Sequence, residues 1–465
     1  MNSNSSLTKK SVVYGIGNIG TLAINFFLVP LYTFYLTEDD LGLFDLLASS
    51  LIIASPLFFV NIELSILRWI LANKEIQLIK KVLSNAFIII VVGLSVFSLV
   101  FYVIIQYFEI SFFFLVYVYF ISNFIYTSLK QVLRAVYSSW HYVITELIYI
   151  SIILGCFLIF GSKYQLKAIF ISYGIASFSL LVYLYFLGFY KSIDLKLINI
   201  DFCRELIKYS FPLSLNAVSL WLNNQSNKYV IAMYLTLGAN GIYAVAFKFA
   251  YVIQILNRIF YMSFQDKMYT IYHEKPINYF SDTLKKYIGV LFAFLYILTG
   301  FKDLIIPYII DEKFTQSLVY MPILGLGVLF FSLGSVLGII YQCEKKNIDA
   351  FKTSFVSGCI ILILGYLFIA PYGLNGASLV FVFGNLIFLI YRFLDVQKYM
   401  KVKGWFLNFA AYTLVFFILL IVTSINVKGN FHIASVLSII SSYIINRDIL
   451  KTTLKNVLIR LKSSF

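Results

Sequence analysis

Apolar residues fall into long blocks separated by short polar breaks, at about 11–36, 41–66, 82–105, 111–134, 144–161, 165–188, 209–236, 240–263, 285–310, 318–341, 351–370, 374–393, 405–426 and 431–446. Roughly 20 apolar residues carry a helix across a hydrocarbon layer about 30 Å thick. The pattern therefore predicts an all-α polytopic membrane protein of fourteen transmembrane helices, with both chain ends on one side. No polar break is long enough for a soluble domain. The largest, about 190–208 and 264–284, both fall on the side of the N-terminus.

The pattern repeats. Tyr35-Leu36-Thr37 followed by Gly42-Leu43-Phe44 returns 199 residues later as Tyr234-Leu235-Thr236 followed by Gly241-Ile242-Tyr243. The same offset pairs Ser11 with Ser210 and Asn25 with Asn224. Tyr164-Gln165-Leu166-Lys167-Ala168 resembles Tyr372-Gly373-Leu374-Asn375-Gly376, and Gly155-Cys156 resembles Gly358-Cys359. The repeat predicts an N-lobe of helices 1–6 (1–195) and a C-lobe of helices 7–12 (196–398). Helices 13 and 14 and a cytoplasmic tail (399–465) lie outside it. Each half holds an even number of helices, so the two share one orientation. Parallel repeats of this kind are a transporter architecture with substrate between the halves near the midplane.

Composition agrees. Of 465 residues 61% are apolar and 12% charged, more apolar surface than a soluble chain can hide. The net charge of +15 could suggest nucleic acid, but its placement decides otherwise. With the N-terminus inside, 29 of the 36 lysines and arginines lie in cytoplasmic segments and helix ends. Five fall in outer turns (Lys163, Lys167, Lys302, Lys313, Lys428), and Lys228 and Lys248 lie within the membrane. That is the positive-inside asymmetry, and the charge faces anionic inner-leaflet lipid. No nucleic-acid partner is expected. The short polar stretch Met1–Lys10 runs into a full span, which predicts no cleaved signal peptide. Cys156, Cys203, Cys343 and Cys359 have no metal-ligand spacing and read as buried small hydrophobes. His141, His273 and His432 are isolated, and no nucleophile triad, metal set or phosphate-cradling Gly-rich loop appears, so the chain reads as a transporter without a cofactor, not an enzyme.

The candidate chemistry is intramembrane. Lys228 lies eight residues before the turn between helices 7 and 8, and Lys248 eight residues after it. At a 1.5 Å rise each sits roughly 12 Å below the outer surface of the hydrocarbon, near midplane on adjacent helices. A buried ammonium there costs about 3 kcal/mol and is expected to face a cavity and meet an anion. Arg68 closes the inner end of helix 2, a place for headgroup capture or lipid contact. Glu63, five residues further in, is expected to pair with it. Glu146, near the start of helix 5, is the other carboxylate near the membrane. Glu63 and Glu146 are candidates for gating or for coupling to a Na⁺ or H⁺ gradient, with an ordinary buried ion pair as the simpler reading. Asn25 and Asn224 are repeat-related, and Asn223, Gln225 and Asn227 crowd the same stretch. This cluster suits sugar hydrogen-bonding or glue between the halves equally well.

Several of these stretches resemble a known family. Asn18, Pro30-Leu31-Tyr32-Thr33, Tyr35-Leu36 and Gly42-Leu43-Phe44-Asp45 are similar to the opening of Wzx-type polysaccharide flippases of the MOP superfamily, relatives of the MATE exporters. Leu64-Ser65-Ile66-Leu67-Arg68-Trp69 resembles that family's close of helix 2, and Gly241-Ile242-Tyr243 with Lys248 its helix-8 start. The resemblance covers about residues 9–395. The chain departs from it at Phe34, where a basic residue is usual, at Asn227-Lys228, where an Asp-Arg pair is usual, and at Asn61, where glycine is expected. The resemblance implies an alternating-access flippase that moves undecaprenyl-diphosphate-linked oligosaccharide from the inner to the outer leaflet. It also implies a bacterial inner membrane location, cytoplasmic termini, and work alongside the polysaccharide polymerase machinery of O-antigen or capsule assembly. The rival readings are a lipid II flippase, a MATE-type drug exporter, and, from another class, a membrane polysaccharide polymerase. Helix 1 carries no carboxylate between Ser11 and Leu36 and the midplane charges are positive, which disfavours a cationic substrate. The outer turns are short and contain no arginine, which disfavours a polymerase.

Overall fold

The computed structural model describes residues 27–72, 75–106, 112–137, 139–425 and 435–447, and among them there is helix and no strand. In chain order the helices are α1 (27–35), α2 (Glu38–Phe58), α3 (Ile62–Ala72), α4 (Ile76–Ile105), α5 (Phe113–Val136), α6 (Ser139–Tyr164), α7 (Leu166–Phe186), α8 (Ile200–Tyr234), α9 (Leu237–Ala250), α10 (Val252–Ile271), α11 (Ile277–Ile305), α12 (Ser317–Cys343), α13 (Asn347–Val396), α14 (Phe406–Ile425) and α15 (435–447). Each of the fourteen predicted spans overlaps helix among the described residues, the first over 27–35 and the last from 435. Ten described stretches are long and apolar enough to cross a membrane. Predicted and observed bounds differ where polar residues carry a helix past its apolar block, as at the starts of α4, α8 and α11. Hydropathy marks only the part in hydrocarbon, whereas the backbone ladder continues into the headgroups.

The sequence repeat is a repeat of backbone geometry. Thr37, extended, caps α2 by accepting the Asp40 N–H on its hydroxyl at 3.1 Å, and the Leu36 N–H closes on Tyr32 O at 3.0 Å. At the same offset Thr236, also extended, accepts the Ala239 N–H at 3.0 Å, and the Leu235 N–H closes on Ile231 O at 2.8 Å. A threonine there answers an orphan N–H of the next helix, so one short turn reverses the chain without exposing backbone to lipid. The second echo is equally literal. Gln165 (φ 46°, ψ −120°) joins α6 to α7, and Gly373 (φ 57°, ψ −140°) joins the two arms of α13. That region is essentially reserved for glycine, and Gln165 occupies it under strain.

Two predicted single spans are broken. The second is interrupted at Phe59–Asn61, where Val60 and Asn61 adopt positive φ, and α4 closes on the break through Gly93. A Cβ on Gly93 would stand 2.4 Å from the Phe58 carbonyl oxygen, so only glycine fits. The eighth is interrupted at Tyr251 and continues as α10.

The chain forms two compact units, Met1–Trp221 and Leu222–Phe465, and the boundary falls inside α8. In the first unit an aromatic core of Tyr32, Phe44, Tyr119, Phe157 and Phe170 packs edge to face. The segment entering α8 is pinned to α4 by Asn85, whose amide donates to Leu197 O at 3.0 Å and accepts the Asn199 N–H at 2.8 Å. In the second unit α12 is the central buried helix, packed against α13. Helices α14 and α15 pack on α11. Ser435 donates to Gly300 O at 3.0 Å, Ser442 to Ala293 O at 3.2 Å and Asn446 to Gly289 O at 3.1 Å, a small-residue seam typical of membrane helix pairs. The four cysteines are half-buried thiols rather than fully buried, because each sits on the edge of its helix's packed face.

Gln165→Gly is expected to raise stability by about 1 kcal/mol, and Gly373→Ala to lower it by about 1–3 kcal/mol. Thermal unfolding of the purified chain in detergent measures both. An unchanged melting temperature for Gly373→Ala would show that the turn does not constrain the fold.

Candidate functional site

Helix α8 carries the polar cluster on two adjacent faces. Asn223 and Asn227, one turn apart, face α13. The Asn223 amide donates to Ser354 O at 2.6 Å and its oxygen accepts the Ser357 hydroxyl at 2.6 Å. The Asn227 amide donates to Ala377 O at 3.0 Å, in the second arm of α13. These two asparagines therefore join α8 to α13 within the second unit. Asn224 and Lys228, also one turn apart, share the neighbouring face. Asn224 is half-buried, and the Lys228 side chain is only 5% exposed.

The Lys228 ammonium stands 5.2 Å from the centroid of the Phe247 ring. Phe247 lies in an aromatic column on α9 with Tyr243 at 6.3 Å and Tyr251 at 5.8 Å. A desolvated cation–π contact of this kind contributes about 2 kcal/mol. Lys248, the residue after Phe247, is half-buried on the same helix. Lys228 thus contacts the helix that carries Lys248.

In the first unit the arrangement differs from expectation. Arg68 is exposed and lies over the Tyr209 ring at 4.7 Å, with a long contact of 3.5 Å from Nη1 to the hydroxyl. Trp69 meets the same ring edge-on at 5.2 Å, and Ser65 bonds Ser210 one turn earlier. Arg68 thereby holds α3 to the first turns of α8. The expected Glu63–Arg68 pair does not form, and among the described residues Glu63 has no ion-pair partner. Five residues is about 140° around a helix, so the two side chains point apart. Glu146 is a buried ion-pair partner. Its Oε1 accepts the Lys130 ammonium at 2.7 Å, while Lys130 also lies 5.4 Å from the Tyr126 ring and 5.1 Å from that of Tyr142. Glu146 Oε2 is buried without a hydrogen-bond partner. Asn25 lies outside the described residues.

Sequence reasoning passed over two cations, Lys130 and Arg392. Both lie inside predicted spans, which is itself a signal, but each sits near an inner helix end, where basic residues ordinarily meet lipid. Among the described residues no group of three His, Cys, Asp or Glu side chains is placed to hold a metal ion.

The sequence profile of the family described as polysaccharide biosynthesis protein matches residues 7–263, more than half of the chain. No curated protein matches by sequence. Among solved structures the chain is similar to the lipid II flippase MurJ in an inward closed conformation, with TM-score 0.66 and 15% identity, covering 95% of this chain and 100% of that one. It is also similar to a multidrug resistance MATE family transporter of the MOP superfamily. The inward-facing conformation gives TM-score 0.68 at 12% identity over 81% of this chain and 94% of that one. The outward-facing conformation gives TM-score 0.57 at 15% identity over 84% and 95%. At these identities the likeness is one of fold.

Glu146→Gln leaves the Lys130 ammonium without its countercharge and is expected to destabilise the chain by about 3–5 kcal/mol. The double replacement Lys130→Met with Glu146→Leu is expected to recover most of that loss in thermal unfolding. A double variant as unstable as the single one would mean that the charges themselves hold α5 to α6.

Proposed function

The chain belongs to the polysaccharide biosynthesis protein family, and on that footing we propose that it is an alternating-access flippase, a transporter rather than an enzyme. It moves undecaprenyl-diphosphate-linked oligosaccharide repeat units from the inner to the outer leaflet of a bacterial inner membrane, with its termini in the cytoplasm, and hands them to polymerase machinery at the outer face. The observation that carries the reading is the Lys228 ammonium, buried on α8 against Phe247, the residue before Lys248 on α9. An ammonium in that position suits a diphosphate or an acidic sugar and repels a cationic drug. Asn224, on the Lys228 face, is a donor and acceptor for sugar hydroxyls. Energy comes from an ion gradient, Na⁺ or H⁺, since the sequence contains no nucleotide-binding loop.

A lipid II flippase is the second reading. It is favoured by the likeness to MurJ, which extends over 95% of this chain. Lipid II also carries a diphosphate, so the same lysines would serve.

Deleting the gene in its host and extracting lipid-linked glycans separates these. Accumulated lipid-linked repeat units with loss of surface polysaccharide are the expected result. Plasmid-borne Lys228→Ala is expected to restore no more than about a tenth of export, the scale of one lost charge-assisted contact. Accumulated lipid II with lysis would move the assignment to peptidoglycan. Retention of cationic dyes with neither lipid accumulating would reverse the argument from charge.

A further inference from the structure

Arg392, near the end of α13, is 6% exposed and makes no ion pair with a carboxylate among the described residues. Its guanidinium instead donates to four neutral oxygens: Nε to Thr353 Oγ1 at 3.1 Å, Nη1 to Gly334 O at 3.1 Å, and Nη2 to Ala350 O at 3.1 Å and Ser354 Oγ at 3.0 Å. Phe388 lies 4.4 Å below the guanidinium plane and Tyr341 is 5.7 Å away. Helix α12 makes room for it at Gly338, where a Cβ would stand 2.8 Å from Nη1.

A charge enclosed in hydrocarbon without a counter-ion is expensive, and the default reading of such a residue is functional. Arg392 is too enclosed to bind substrate. What it does reach is the site. Ser354 accepts the guanidinium on its hydroxyl and the Asn223 amide on its carbonyl, and Ser357 adds its hydroxyl to Asn223 Oδ1. A continuous polar chain, Arg392 to Ser354 to Asn223, therefore runs from α13 to the turn of α8 that precedes Lys228. Asn223 and Asn224 are about 100° apart around α8. Fixing one fixes the direction of the other and of Lys228.

We infer that Arg392 is a positioning residue for the Lys228 site: through Ser354 and Asn223 it sets the rotation of α8 that presents Asn224 and Lys228 to an anionic substrate. The inference rests on the reading of Lys228 as a substrate-binding residue. The planar fork is essential to it. Four acceptors on two helices are spanned at once, and the single ammonium of a lysine cannot span them.

The test uses the full chain in the deletion host, with export read as surface glycan against accumulated lipid-linked repeat units. Thiol labelling of Asn224→Cys is read alongside, in a background lacking the four native cysteines. Arg392→Gln and Arg392→Lys are each expected to cut export about tenfold and to change the labelling rate at position 224 several-fold, well below the melting temperature. Combining Arg392→Gln with Asn223→Ala is expected to be no worse than either alone, because both break one chain of contacts. Losses that multiply, or an unchanged labelling rate, would reduce Arg392 to a brace for α12 and α13 and overturn the inference. Should Arg392→Gln fail to fold, Ser357→Ala leaves all four arginine bonds in place and removes a bond to Asn223. It is expected to shift labelling in the same direction, and no shift in a folded chain overturns the inference equally. Full export by Lys228→Ala would instead sink the reading of the site itself.

Discussion

Hydrocarbon offers no hydrogen bonds, so every polar group that a helix carries into it must be answered by another helix of the same chain. In the second unit this constraint decides the packing around α8. Asn223 and the Asn227 amide N–H are answered by α13, Arg392 by α12 and α13, and Lys228 takes the ring face of Phe247 on α9. These contacts fix which side of α8 faces α13. A helix that was apolar all round would pack as tightly but would have no preferred rotation.

The first unit meets the same constraint with a different balance. Lys130 pairs with Glu146, and Arg68 and Trp69 of α3 close on Tyr209 of α8. Lys228 and Lys248, by contrast, belong to the second unit. The turns that open the two repeats are alike down to the threonine cap.

Helix breaks follow the same logic of local permission. Gly373 occupies its turn without strain and Gln165 occupies the equivalent turn against it. The break at Phe59–Asn61 persists because Gly93 lets α4 close over it. In each case one position with no side chain, or one strained residue, sets where a span bends.

The sequence by itself determined the class, the helical blocks and the turns that repeat, and it singled out Lys228 and Lys248. Hydropathy reports directly on transfer into lipid, and a threonine cap or a glycine turn acts through residues a few positions apart. Which of the asparagines of α8 faces α13 was decided only by the tertiary structure, because Asn223 and Asn224 are indistinguishable as letters and differ only in what lies opposite. The same holds for Glu63 and Arg68, neighbours in sequence that a 140° rotation separates, and for Lys130 and Glu146, distant in sequence and joined by the packing of α5 on α6. Arg392 is the clearest instance. Near the end of an apolar block it reads as a lipid-facing cation, and only the acceptors gathered from α12 and the far arm of its own helix make it an internal anchor.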